Sequence, residues 1–201
     1  MKSIKKILTA VLAICFLISL TACKKENNDY EKDEKLNGTH NAVITVKDYG
    51  DIKLELYGDI APITVANFVK LVNDGFYDGL TFHRAIEDFM IQGGDPEGNG
   101  TGHSDQSIFG EFTLNGFENN LSHTRGVISM ARSTDYNSAS CQFFIVHGDS
   151  PHLDGGYAAF GKVTEGMDII DQIMTDLSPT GYNGAVDADK QPIIEKIRMV
   201  D

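Results

Sequence analysis

With 201 residues, 41% of them apolar and 23% charged, the chain has room for one domain of ordinary size and a folded balance that excludes a wholly disordered protein. Seventeen basic against 29 acidic residues give a net charge of −12. That excludes the basic footprint a nucleic-acid binder needs and attachment to anionic lipid by charge alone.

The first 22 residues read differently from the rest. Lys2, Lys5 and Lys6 precede the uncharged apolar run Ile7 to Leu20, too short to span a bilayer comfortably and suited to the core of an export signal. The run ends Leu20-Thr21-Ala22-Cys23, which resembles the lipobox of bacterial lipoproteins. In that family the cysteine receives a diacylglycerol on its sulfur and becomes the new N-terminus. The resemblance therefore implies lipidation at Cys23 and a bacterial cell-envelope location, anchored to the membrane and facing outward from the cytoplasm. An ordinary cleavable signal or an uncleaved anchor helix is the alternative. Lys24 to His40 is charged and nearly free of aliphatic residues, the composition of a solvated tether. The expected organisation is a leader over 1–22, a tether over 23–40 and a folded domain over 41–201. Cysteines stand only at 15, 23 and 141, so no disulfide framework is available, and Cys141 in its apolar segment reads as buried and inert.

The domain opens on two alternating segments, Ala42-Ile44-Val46 and Ile52-Leu54-Leu56, with Asp48 to Asp51 between them, which predicts a β-hairpin with one buried face. Pro62 starts a helix whose Val65, Phe68, Val69 and Val72 recur at helical spacing, and Gly75 closes it. Strands are predicted over 81–86, 89–92, 127–131, 142–146 and 158–163. A second helix fits 167–174, with Met167, Ile170, Ile173 and Met174 on one side, and a last strand fits 193–200. Eight short strands and two helices predict a mainly β fold, a closed barrel or a sandwich, because the helices are too sparse for a doubly wound sheet.

Several motifs lead nowhere. The six histidines, at 40, 83, 103, 123, 147 and 152, lack metal-ligand spacing, so no metal is expected. Asp95 to Gly100 mimics the start of a calcium loop but has Gln106 where a bidentate Glu is required. The glycines from 93 to 102 precede no Gly-Lys-Ser/Thr, and their plainer use is in tight bends. Ser129, Ser133 and Ser140 lack a nucleophile-elbow context.

The informative stretch is Phe82-His83-Arg84, then Phe89-Met90-Ile91-Gln92-Gly93-Gly94-Asp95. In order there follow Asn99 to Gly102, Ile128 to Arg132, Ser140 to Ile145, Leu153-Asp154-Gly155 and Phe160 to Val163. This series resembles the signature of the cyclophilin family of peptidyl-prolyl isomerases, over essentially all of 42–200. The resemblance implies a closed eight-stranded antiparallel β-barrel capped by two α-helices, no cofactor, and a monomer acting on proline-containing peptides and unfolded exported proteins. It puts Arg84 in the catalytic arginine's place. It also implies that Phe89, Met90, Phe144 and Leu153 hold the proline ring, that Gln92 and Gln142 line the groove, and that the peptide lies along Ala131, Arg132 and Ser133. Three positions depart from the common pattern: Arg132 replaces a frequent Asn, His152 a Trp and Tyr157 a groove His. The last two bear on ligand preference at the rim.

Such residue types suit the reaction. A prolyl bond resists rotation by ~18–20 kcal/mol because its nitrogen shares a lone pair with the carbonyl. A fixed cation that donates to that nitrogen only when the amide twists stabilises the transition state selectively. The rival reading is a proline-peptide-binding chaperone or surface adhesin on the same fold, without turnover; Arg84 favours the enzyme, since binding alone does not require it.

Overall fold

A computed structural model of the chain describes residues 34–177 and 181–200. The leader, Cys23 and most of the tether lie outside the described residues. The chain engages the domain as early as Leu36, whose N–H donates to Pro62 O (3.0 Å), and the first strand, β1, runs Thr39–Val46. It pairs with β2, Gly50–Tyr57, as the alternation predicts, burying Ala42, Ile44, Val46, Ile52, Leu54 and Leu56. Helix α1 follows at Pro62–Asn73, then β3 at Thr81–Ile86, β4 at Met90–Asp95, β5 at Val127–Met130, β6 at Phe143–Val146 and β7 at Ala159–Glu165. Helix α2, Met167–Leu177, and β8, Ile194–Met199, complete the order.

The eight strands form one antiparallel sheet in the order β3-β4-β6-β5-β7-β2-β1-β8, curled into a half-barrel. The expected arrangement is a closed eight-stranded barrel. Between the two ends of the sheet stand the isolated bridge of Thr81 with Ile193 and backbone bonds such as Ile194 N to Leu80 O (2.7 Å).

Helix α1 packs on one face of the sheet. Phe68 meets Tyr77, Phe143 and Phe160 at ring-centroid distances of 5.3, 5.7 and 5.3 Å, and all four rings are buried. Each such pair adds about 0.5–1.5 kcal/mol beyond its area burial. The buried face differs slightly from the predicted one: Val69 is only half-buried, while Ile63, Thr64 and Leu71 are buried. Thr64 is drawn inward because its hydroxyl donates to the buried carboxylate of Glu111 (2.7 Å). That carboxylate also accepts from Ile63 N (3.0 Å) and Thr64 N (2.8 Å), so it caps a helix whose own N-cap residue, Ala61, has no capping side chain. At the other end Gly75, at φ +70°, turns the chain out as predicted.

Strand β4 starts one residue later than expected and runs further. Asp88 at φ 56° turns the β3–β4 hairpin, leaving Phe89 in the turn. Gly94 carries the strand past β6, where a Cβ would stand 2.9 Å from Cys141 O. The Asp95 carboxylate accepts from the N–H groups of Glu97 (2.8 Å), Asn99 (3.1 Å) and Gly100, so this side chain is consumed in shaping its own loop. Cys141 is fully buried, and burial pushes its thiol up.

Candidate active site

Strands β5 and β6 are buried along their whole length, because they are covered on both faces. One face meets α1. On the other, Met90, Val127, Phe144, Val146, Leu153 and Ala159 form a second apolar cluster, with Phe89, Ala131 and Tyr157 packed against it. The ladder register sets Arg84 opposite Gln92, Gln92 opposite Phe144, and Phe144 opposite Ser129, which places a cation and an amide beside this outer cluster.

There a hollow of about 120 Å³ is lined by Arg84, Phe89, Met90, Gln92, Ala131, Arg132, Phe144, Leu153 and Tyr157. Clefts for drug-sized ligands hold roughly 300–1,000 Å³, so this one suits a single small ring. Nine of the twelve positions singled out from the sequence converge on it. Ser133 and Gln142 line a wider second hollow of about 400 Å³, which shares Gln92, Ala131 and Arg132 with the first. His152 lies on the rim, its ring 5.4 Å from that of Phe89. The one role assigned by resemblance outside the groove, lipidation of Cys23, falls outside the described residues.

Arg84 is held by its neighbours. Its Nε donates to Asn183 O (2.8 Å) and its Nη1 to Gln92 Oε1 (3.2 Å), with Met90 Sδ 3.9 Å away. Gln92 in turn donates to Gln142 Oε1 (2.9 Å), and Gln142 to Gly102 O (2.7 Å). Among the described residues no carboxylate pairs with Arg84, and burial pulls it below the usual arginine value, although a guanidinium stays charged at neutral pH. A fixed, half-buried cation at the edge of an apolar hollow results.

Sequence spacing gave no sign of what supports the hollow from behind. His123 is buried and stacks on Phe144, with ring centroids 6.0 Å apart and planes 16° from parallel. Its Nδ1 lies 2.9 Å from Asp154 Oδ1, and its Nε2 lies 3.0 Å from Ser129 Oγ. The backbone N–H of His123 donates to the same Asp154 oxygen (2.8 Å), tying down the turn that carries Leu153. Ser, His and Asp are thus aligned, yet Ser129 is 0% exposed and His123 is 1% exposed, so no substrate carbonyl reaches the serine. The trio is a brace, not a hydrolytic centre.

Burial holds the His123 imidazole below its ordinary range, outweighing the pull of Asp154, and burial does the same to His83 on β3. The folded state therefore prefers both rings neutral, whereas the unfolded chain binds their protons below about pH 6.5. Stability is expected to fall as pH drops through that value and on towards the lower folded-state pKa values. Glu111 acts oppositely, because burial raises its carboxyl and its contribution is lost as pH rises through the folded-state pKa. Urea unfolding at pH 7 and 5.5 checks this: His123→Gln should flatten the loss seen in the parent, and an unchanged slope would remove His123 from it.

The sequence profile of the family described as cyclophilin type peptidyl-prolyl cis-trans isomerase/CLD matches residues 42–200. Peptidyl-prolyl cis-trans isomerase B of Bacillus subtilis is 49% identical over 123 residues, covering 61% of this chain and 82% of that protein. A peptidyl-prolyl cis-trans isomerase of Acinetobacter baylyi is 39% identical over 159 residues, covering 76% of this chain and 82% of that one. The match to peptidyl-prolyl cis-trans isomerase-like 2 of Gibberella zeae, 43% identical over 135 residues, takes in 67% of this chain and spans only 23% of that longer protein. Among solved structures, a cyclophilin type isomerase of Cryptosporidium parvum, crystallised in the presence of the dipeptide Ala-Pro, superposes with a TM-score of 0.71 at 30% identity, over 80% of this chain and 99% of that one. With the apolar hollow, its fixed guanidinium and a match over nearly the whole described domain, the chain belongs to the cyclophilin-type peptidyl-prolyl cis-trans isomerases, a family of enzymes.

Proposed function

We propose that this domain accelerates rotation about X-Pro bonds of exported proteins while held at the outer side of a bacterial membrane by a lipid on Cys23. The observation that carries the catalytic part is the Arg84 guanidinium, fixed by Asn183 O and Gln92 and unpaired with any carboxylate among the described residues, at the mouth of the small apolar hollow. Phe89, Met90, Phe144 and Leu153 take the proline ring. The Ala-Pro dipeptide used with the Cryptosporidium parvum relative supports a prolyl ligand. As the amide twists, its nitrogen regains the lone pair and accepts a hydrogen bond from Arg84. The apolar walls also disfavour the charge-separated planar form. Uncatalysed exchange takes tens to hundreds of seconds. Reaching milliseconds requires about 10⁵-fold, or ~7 kcal/mol of differential stabilisation. Rotation moves no proton and no electron, so these residues suffice for the chemistry.

Gln92 and Gln142 position Arg84, while Ala131, Arg132 and Ser133 form the peptide's track, with His152 and Tyr157 on the rim. The working unit is a monomer on a tether. Closure of the sheet into a full barrel belongs to the same proposal and is supported by the Thr81–Ile193 bridge. NMR exchange spectroscopy on an Ala-Pro tetrapeptide tests the activity: exchange should quicken at catalytic protein concentrations, and exchange at the uncatalysed rate would overturn it. The anchor is tested by metabolic labelling with a fatty-acid analogue. Cys23→Ala should abolish the label and leave uncleaved precursor, whereas label persisting in the variant would remove Cys23 from the proposal.

A further inference from the structure

The chain has four arginines. Two are paired with carboxylates: Arg125 through Nη2 to both oxygens of Asp171 (2.6 and 2.8 Å) and Arg198 through Nη1 and Nη2 to the two oxygens of Asp78 (2.7 and 2.6 Å). The other two, Arg84 and Arg132, have no carboxylate partner among the described residues, and both line the proline hollow. None of the residues lining that hollow or the second one is acidic, although the chain has 29 Asp and Glu. The lining of the two hollows thus carries two arginines and no acid on a protein whose net charge is −12.

Arg132 is also fixed in place. Its Nε and Nη2 donate to Gly156 O (2.9 and 2.7 Å) and its Nη1 donates to Ser133 O (2.8 Å). Its Cζ stands over the rings of Phe112, Tyr136 and Tyr157 at 5.1, 5.0 and 4.6 Å from their centroids. Such cation–π contacts hold a guanidinium without cancelling its charge. Three bonds leave two of its five N–H donors uncommitted. Arg132 lines both hollows, so it stands where the first opens toward the second.

We propose that Arg132 makes the groove selective for prolyl peptides with a carboxylate side chain close to the proline; this rests on the groove being the isomerase site. A carboxylate there meets a cation already ordered, so little side-chain entropy is lost in forming the pair. Arg84 is committed to the twisted amide, and Arg132 is the charge left over for the flanking residue.

The test uses the full chain in detergent and peptides with one proline and either Glu or Gln at each of the two positions before and after it. The readout is the ratio of kcat/KM for the Glu peptide to that for its Gln twin, so each protein is its own reference. At one or more positions the ratio should reach about fivefold, the upper range for a partly exposed ion pair, and should shrink in high salt. Arg132→Gln should bring it to about one, and Arg132→Lys should keep part of it. A parent ratio near one at all four positions, or a ratio that survives Arg132→Gln, overturns the proposal. If Arg132→Gln does not fold, the parent decides: its Arg132 Nε–H resonance should shift on adding the Glu peptide and not the Gln twin, and equal shifts overturn the proposal. Failure to isomerise any peptide would instead sink the isomerase reading, while the resonance experiment would still report on Arg132.

Discussion

Arg84→Ala is expected to lower kcat/KM on an Ala-Pro peptide by about 10²–10³-fold, the usual loss when one preorganised donor to a transition-state charge is removed. The fold should survive, because the guanidinium is half-buried, pairs with no carboxylate among the described residues, and its bonds to Asn183 O and Gln92 Oε1 are exposed or only partly buried. Arg84→Lys should recover little, since an ammonium on a flexible stem cannot keep the planar fork that bonds Asn183 and Gln92 while aiming at the hollow. KM should move less than kcat, because the apolar walls that hold the proline ring are untouched. Circular dichroism and the unfolding midpoint check the fold, and exchange spectroscopy gives the rate. A variant within about threefold of the parent would mean a loss under ~1 kcal/mol, and the assigned chemistry would be wrong.

Glu111→Ala is expected to destabilise the domain by about 3 kcal/mol without touching the groove. The substitution strips the cap from α1 and leaves Ile63 N, Thr64 N and the Thr64 hydroxyl without their buried acceptor. Unsatisfied buried donors cost about 1–3 kcal/mol each, and the loss of a buried charge offsets part of this. For a domain of this size the unfolding temperature should drop by roughly 6–12 °C at ~2–4 °C per kcal/mol. Glu111→Gln should cost less, because one amide oxygen still accepts near the helix N-terminus, though without the charge that complements the helix dipole. Thermal unfolding of both variants decides this, and a change below about 2 °C for the alanine variant would show that α1 does not depend on Glu111.

Glu111 also illustrates where local reading stops. Pro62 and the spacing of Val65, Phe68 and Val72 fix where α1 starts and which side faces inward, but its cap lies 47 residues downstream of Thr64. Nothing in the sequence near residue 111 marks a capping carboxylate. The buried face likewise holds Thr64, bonded to Glu111, while Val69 is only half-buried, a distribution that differs from the stripe spacing alone predicts.

What the sequence determines by itself is whatever depends on near neighbours. Alternation in β1, β2 and β8 reports one buried face, and helical spacing marks α1 and α2. The ordered motif from Phe82 to Val163 carried the family and nine residues of the hollow. Tertiary structure alone decided the strand order, the row Arg84–Gln92–Phe144 across three strands, the brace of His123, Asp154 and Ser129, and the ring cage around Arg132. The physical reason is the range of the interactions. Periodicity records how one segment divides itself between core and water, so it falls silent in β5 and β6, which are buried on both faces. Ladder register, caps and ring stacking are contacts between segments far apart in the chain, and they exist only once the sheet has curled.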